Sequence, residues 1–205
     1  MNQKIYDVST EITEDMQVYK NKDSKRPRFE NIDNYEIGNH YASYLHIDCH
    51  AGTHVDAPLH MIENAKDLSY LKLENLIREV KVYEINSDLI CKEDLINIDI
   101  QEGDFILFKT RNSEVNEFKL DYCALHSSGA EYLADKKICG VGVDALSVGR
   151  GDDNLLTHKT LMEEEIIIIE GLRLKDVQEG TYNMIALPLK INTLEGCPMR
   201  VILRK

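Results

Sequence analysis

Residues 46–60, HIDCHAGTHVDAPLH, hold four of the chain's seven histidines, His46, His50, His54 and His60, together with Asp48 and Asp56. In a chain that is 43% hydrophobic, this crowd of imidazoles and carboxylates must find partners wherever it is buried. The two regular backbone periodicities treat it differently. On a helix His50 and His54 would share a face, but Asp56 would fall away from it and Pro58 would break the helix. On an extended chain, residues two apart share a face. His46, Asp48, His50, Gly52, His54, Asp56 and His60 then have one parity, with Cys49 and Val55 on the other side. The spacing predicts an extended segment with its polar groups in one row, loosening toward His60 because Gly52 and Pro58 can bend it. Gly52 is read as a gap in that row, where a non-protein group can approach the backbone.

A divalent cation satisfies such a row without stranding buried charge, and nitrogen and oxygen donors suit Zn, Mn or Fe(II). Taken singly, His40, His46 and His126 read as histidines making ordinary hydrogen bonds. Taken together, His50, His54 and Asp56 read as a metal site. The five cysteines (Cys49, Cys91, Cys123, Cys139, Cys197) are scattered and include no CxxC pair. That argues against a disulfide framework or thiolate zinc site and suits a cytoplasmic protein.

The net charge of −12 makes nucleic acid and anionic membrane poor partners. The longest aliphatic run, four isoleucines at 166–169, falls far short of the roughly 20 residues that span a bilayer. The N-terminal MNQKIYDVSTEITEDM has no secretory h-region. One basic stretch, KNKDSKRPR at 20–28, reads as a solvated loop or, alternatively, as an arm reaching a substrate anion or a neighbouring subunit.

The 205 residues fit one domain, 1–205. KIYDVS (4–9), REVKVYEI (78–85) and DFILFKT (104–110) read as strands. HSSGAEYLADKK (126–137) reads as a helix and ICGVGVDAL (138–146) as a strand. LTHKTLMEEE (156–165) reads as a short helix with Thr157 as N-cap. IIIIEGL (166–172) reads as a strand covered on both faces, and LPLKIN and CPMRVILRK as closing strands. The class is mixed α/β, with more strand than a doubly wound fold needs.

His50-Ala-Gly-Thr-His54-Val-Asp56-Ala-Pro-Leu-His60 resembles the HxGTHxDxPxH signature of the cyclase family, which includes bacterial arylformamidase (kynurenine formamidase) and isatin hydrolase. GVDALSV (142–148) is similar to the family's G-[IV]-D-x-x-S segment. LPLKINTLEGCPMRVI (187–202) is similar to its PLK…G-x-P-x-R ending, and His158 with Glu170 twelve residues on resembles its second ligand group. The resemblance implies a swivelling β/β/α fold assembled as homodimers or homotetramers, and two divalent ions, Zn or Mn. His50, His54 and Asp56 would hold one ion. Asp56, His158 and Glu170 would hold or bridge to the other, and His60 would be the catalytic imidazole outside the ligand set. It also implies that the segment around Tyr19 lines the substrate pocket, although the prolines and glycine usual there are absent. Read without the family, Glu170 is a strand-end acid turned to solvent or to Arg173, and His158 lies near a helix N-terminus, which suits a neutral imidazole. Asp144 and Ser147 read as hydrogen-bonding core residues, and Arg200 as the partner of a carboxylate.

The chemistry this implies is metal-dependent hydrolysis of an amide C–N bond, with water activated by the ions and His60 shuttling the proton. No GxSxG nucleophile motif is present. The alternative is a catalytically silent cyclase-family protein that binds a small molecule or a metal.

Overall fold

Strands dominate the residues described, 4–115 and 117–205, in a computed structural model of the chain. They are β1 (Ile5–Asp7), β2 (Arg28–Asp33), β3 (Ala42–His46), β4 (His54–Asp56), β5 (Ile77–Glu84) and β6 (Leu89–Ile90). There follow β7 (Phe105–Lys109), β8 (Ala124–Leu125), β9 (Gly140–Val143), β10 (Ile167–Glu170), β11 (Gly180–Pro188) and β12 (Gly196–Arg204). The α-helices are α1 (Leu73–Leu76), α2 (Lys92–Leu95), α3 (Ser127–Asp135) and α4 (Asn154–Glu163).

The main sheet runs β1-β12-β11-β5-β7-β9-β10-β4, and β4 also pairs with β12, so the sheet closes on itself like a barrel. One edge of β12 serves two partners: residues 202–204 pair with β1 and residues 196–198 with β4. Neighbours from β5 to β10 are parallel, and the remaining pairs are antiparallel.

Alternation along each strand builds two cores, one on each face of the sheet. Val55, Val82, Leu107, Ile169, Met184 and Val201 point into the closed sheet. Ile106, Phe108, Val143 and Ile168 point outward, against Ala130 and Leu133 of α3 and Leu161 and Met162 of α4. The isoleucine run is therefore covered on both faces, with Ile167 and Ile169 in one core and Ile166 and Ile168 in the other. This is the mixed α/β class, with few helices around a barrel-like sheet.

Two local expectations fail. LPLKIN is not a closing strand: only Leu187 and Pro188 belong to β11, and the chain leaves the sheet at residues 189–195. The strand lies just upstream, where Tyr182, Met184 and Ala186 alternate inward. Thr157 is not an N-cap. A 3-10 turn at Gly151–Asp153 starts the helix one turn earlier, leaving Thr157 buried inside α4.

Candidate metal centre

β4 supplies the first pair of polar groups. Val55 faces the barrel core, so His54 and Asp56 project from the opposite face, toward the helices. β10 lies antiparallel beside it with Glu170 opposite His54 and Ile168 opposite Asp56, which carries Glu170 to the same spot. α4 packs across that face and delivers His158, the fifth residue of the helix. The glutamate at the end of the isoleucine strand thus meets the histidine-rich stretch through strand register.

The predicted polar row holds for only two of its residues, His54 and Asp56. Upstream of His54 the chain turns: His50 is in a turn, its N–H donating to Asp48 Oδ1 at 2.8 Å. Asp48 also pairs with Lys25 at 3.1 Å, which ties the basic 20–28 stretch to its own chain. His46, on β3, is exposed and pairs with Glu30 at 2.9 Å. His60 sits on a 3-10 turn, Pro58–His60. Gly52 is a packed turn residue with φ of +64°, and a side chain there would collide with Ile12. A Cβ on Gly171 would likewise strike the Gly52 carbonyl. The close approach at Gly52 is made by protein, because the β4 and β10 ends cross there.

His54, Asp56, His158 and Glu170 are each at most 3% exposed, and His50 and His60 are half-buried around them. His50 Nδ1 donates to Asp56 Oδ1 at 2.8 Å, His54 Nδ1 to the Gly52 carbonyl at 3.0 Å, and His158 Nδ1 to the Asn154 carbonyl at 2.8 Å. The carbonyls commit Nδ1 of His54 and of His158, which leaves their Nε2 atoms for the centre, whereas His50 meets Asp56 through Nδ1. His54 Nε2 lies 3.4 Å from Asp56 Oδ1 and 3.3 Å from Glu170 Oε2. His158 Nε2 lies 3.2 Å from Glu170 Oε1 and 3.6 Å from Asp56 Oδ2. The Val148 N–H holds Glu170 Oε1 at 2.6 Å. The His60 ring stands 4.0 Å from that of His50 and 6.0 Å from that of His158.

Among the described residues, His50 Nε2, His54 Nε2 and Asp56 Oδ2 are buried without a hydrogen-bond partner. Such orphans are rare and costly in a folded protein, and two of the three belong to neighbours, His54 Nε2 lying 3.4 Å from the Asp56 carboxylate. Two triads of donor atoms, His50/Asp56/His60 and His54/Asp56/Glu170, each lie within 4.8 Å, with Asp56 common to both. The donors are imidazole nitrogens and carboxylate oxygens around one shared acid, a set that suits divalent Zn or Mn. These groups divide the side chains differently from the expected ligand sets, since His60 joins His50 and Asp56 and His158 falls in neither.

Electrostatics point the same way. Burial pulls the His54 imidazole down, but contact with Asp56 and Glu170 outweighs it and lifts the pKa to about 10. His158 is lifted to about 10 against the same opposition. Burial raises Asp56, and His158, His50 and His54 together hold it well below the usual carboxylate range. Burial and Asp56 raise Glu170, yet His158 and His54 bring it below its ordinary value. His60 goes the other way: burial lowers it, and the neighbouring His50 and His158 add to the effect against Asp56 and Glu170.

Other sequence readings resolve as follows. Glu170 turns to His158, His54 and Val148, and His158 lies within its helix, held by a carbonyl. Arg200 pairs with Asp7. Asp144 is a buried acid bound by Thr110, Asn112 and Ser113, and Ser147 Oγ bonds to Asn154 Oδ1. Four groups at the centre escape sequence reasoning. The carbonyls of Gly52 and Asn154 and the N–H of Val148 are backbone atoms, which no residue type announces. Glu195, 3.5 Å from His50 Nε2, comes from the turn before β12.

The profile of the family described as Putative cyclase matches residues 6–150. This chain belongs to the cyclase family. Among its relatives, the kynurenine formamidase of Bacillus cereus (strain ATCC 10987 / NRS 248) is 33% identical over 172 residues, 82% of each chain. Cyclase-like protein 3 of Oryza sativa subsp. japonica is 34% identical over 176 residues, 80% of this chain and 65% of the rice protein. Among solved structures, a predicted metal-dependent hydrolase from Bacillus stearothermophilus superposes with a TM-score of 0.90 at 44% identity, covering 100% of this chain and 99% of that one. An isatin hydrolase bound to thioisatinate shares the fold, with a TM-score of 0.80 at 20% identity over 99% of this chain and 92% of its own.

Proposed function

We propose that this protein is a metal-dependent amidohydrolase that cleaves an amide C–N bond, with residues 1–205 acting as one catalytic domain. The observation that carries the reading is the convergence of orphaned Nε2 and carboxylate atoms around Asp56. His50, His54, Asp56, His158 and Glu170 are the residues assigned to hold the cations, two per subunit, Zn or Mn. Bound divalent cations lower the pKa of water toward neutrality and polarise a carbonyl oxygen.

The protein's own groups do the rest. The Gly52 and Asn154 carbonyls hold the His54 and His158 rings by Nδ1, so each Nε2 stays aimed at the centre without rotamer search. The Val148 N–H fixes one oxygen of Glu170 in the same way. His60, its pKa lowered by burial and by neighbouring imidazoles, is neutral at neutral pH and able to accept a proton. It takes that proton from the attacking water as the amide carbon becomes tetrahedral. It then returns it to the departing nitrogen, because an amine leaves far more readily than an amide anion.

The relative from Bacillus cereus bears the name kynurenine formamidase, and an arylformamide is the substrate class we carry over from it. We assign the enzyme to the cytoplasm and to a homodimer or homotetramer. For the assembly the support is the β2–β3 hairpin, whose Phe29, Tyr44 and Leu45 are exposed. A two-stranded ribbon with apolar residues exposed gains stability when covered. No helix of the described residues is long and apolar enough to cross a membrane.

The test is metal content by elemental analysis, followed by turnover of N-formylkynurenine, isatin and simple formamides. Hydrolysis that disappears on chelation and returns with Zn or Mn is the expected result. A protein that binds metal but hydrolyses none of the three would favour the catalytically silent reading.

A further inference from the structure

His158 and Glu170 come from different elements, yet one stretch, residues 147–154, holds both. The Val148 N–H donates to Glu170 Oε1 at 2.6 Å, and the Val148 carbonyl accepts the Leu125 N–H at 2.8 Å, so that peptide is fixed on both sides. Further along, the Asn154 carbonyl accepts His158 Nδ1 at 2.8 Å. Asn154 is the first residue of α4, a position where helices fray unless something holds them. The residue before it does not supply a cap: among the described residues, Asp153 makes no side-chain capping bond to α4. Its carboxylate instead accepts the Ser127 N–H at 2.6 Å, at the start of α3, and the Thr157 hydroxyl at 3.3 Å.

Ser147 does what the missing cap does not. Its hydroxyl donates to Asn154 Oδ1 at 3.0 Å, and the residue is buried, which shields the bond from water. The same hydroxyl lies against the Tyr122 phenol, whose O–H donates to the Gly149 carbonyl. Gly149 presses on the asparagine as well: a Cβ there would come within 2.8 Å of Asn154 Cα and 2.9 Å of its Oδ1. Packing thus leaves Asn154 little room, and the serine hydroxyl fixes its side chain.

We propose that Ser147 is a positioning residue for one of the two cation sites, the one held by His158 and Glu170. On one side its hydroxyl fixes Asn154, whose carbonyl sets the His158 ring. On the other it is peptide-bonded to the Val148 nitrogen that holds Glu170. His54 and His50 are outside its reach, because the Gly52 carbonyl holds the first ring and Asp56 the second. Groups that orient a ligand from behind change metal affinity by about 10–100-fold. The inference rests on the two-cation reading above and divides it, since loss of the serine hydroxyl weakens one site and spares the other.

The test is Zn titration of the metal-stripped protein against a competing chelator, with two binding steps expected in the wild type. In Ser147→Ala one step should weaken about tenfold while the other stays where it was. Asn154→Ala should weaken the same step, and the double variant should be no weaker than either single one, because the hydroxyl acts through the asparagine. A second readout needs no metal. In the isotope-labelled, metal-free protein, the imidazole NMR signals of His158 should shift and broaden in Ser147→Ala, and those of His54 should not. Both steps weakened alike, neither weakened, or losses that simply add in the double variant would overturn the proposal, as would His158 signals that do not change. A protein that takes up no Zn, or a single ion, would sink the two-cation reading, and the His158 signals would still decide this one.

Discussion

Asp56 and Asp144 are both buried carboxylates at strand ends of the same sheet, 4% exposed or less, and their surroundings are opposite. Asp144 is met by five donors from Thr110, Asn112 and Ser113, all neutral. Asp56 is met by three imidazoles, and its Oδ2 has no hydrogen-bond partner among the described residues. A saturated acid holds structure together; an unsaturated one among basic lone pairs awaits a cation or protons. The difference separates a structural acid from a chemical one, which burial alone does not.

The sharpest break of that contrast is Asp56→Asn. Asp56 belongs to both donor triads, so its loss should remove bound metal and lower turnover by roughly three orders of magnitude or more. Full metal content in this variant, measured by elemental analysis, would put Asp56 in the same class as Asp144. His60→Ala comes next, with kcat lower by about 10²–10⁴-fold and metal retained; metal loss would move His60 from proton carrier to ligand. Asp144→Asn should do the converse, costing about 3 kcal/mol in a denaturant titration because an amide group then faces donors, while the metal content stays normal.

A finer test uses protons. In the metal-free protein His54 and His158, with pKa values of about 10, carry protons at neutral pH, so a cation must displace them. Apparent metal affinity should therefore rise with pH from neutrality up to about 10, and calorimetry in buffers of different ionisation enthalpy should report proton release. Binding without release would show that the imidazoles are not ligands. The smallest effect belongs to His46→Ala. That exposed pair with Glu30 should contribute about 0–1 kcal/mol, and turnover should not change.

Much of the fold was legible where periodicity was strong. The isoleucine strand, the alternating β5 and the helix at 126–137 appear where the pattern puts them, because each buries a face that only one period can bury. The β11 strand lies upstream of where the sequence pattern suggests, because its inward residues, Tyr182, Met184 and Ala186, differ in size and chemistry and form no obvious run. The polar row is shorter than parity predicts for a related reason. Parity holds only while the backbone is extended, and Gly52 with φ of +64° ends that condition just before His54. His158 and Glu170 carried little weight on their own residues, and only their likeness to a family marked them.

The sequence by itself determined which chemistry this protein carries: imidazoles and a carboxylate at alternate positions, and an acid at the end of an apolar strand. Those choices are local, and a period of two residues is enough to express them. Only the tertiary structure decided that Glu170 stands opposite His54, that α4 brings His158 across the face of β4, and that two backbone carbonyls turn the imidazoles inward. These are long-range registers between separate elements, fixed by how the sheet closes and its two cores pack, and no short stretch of residues contains them.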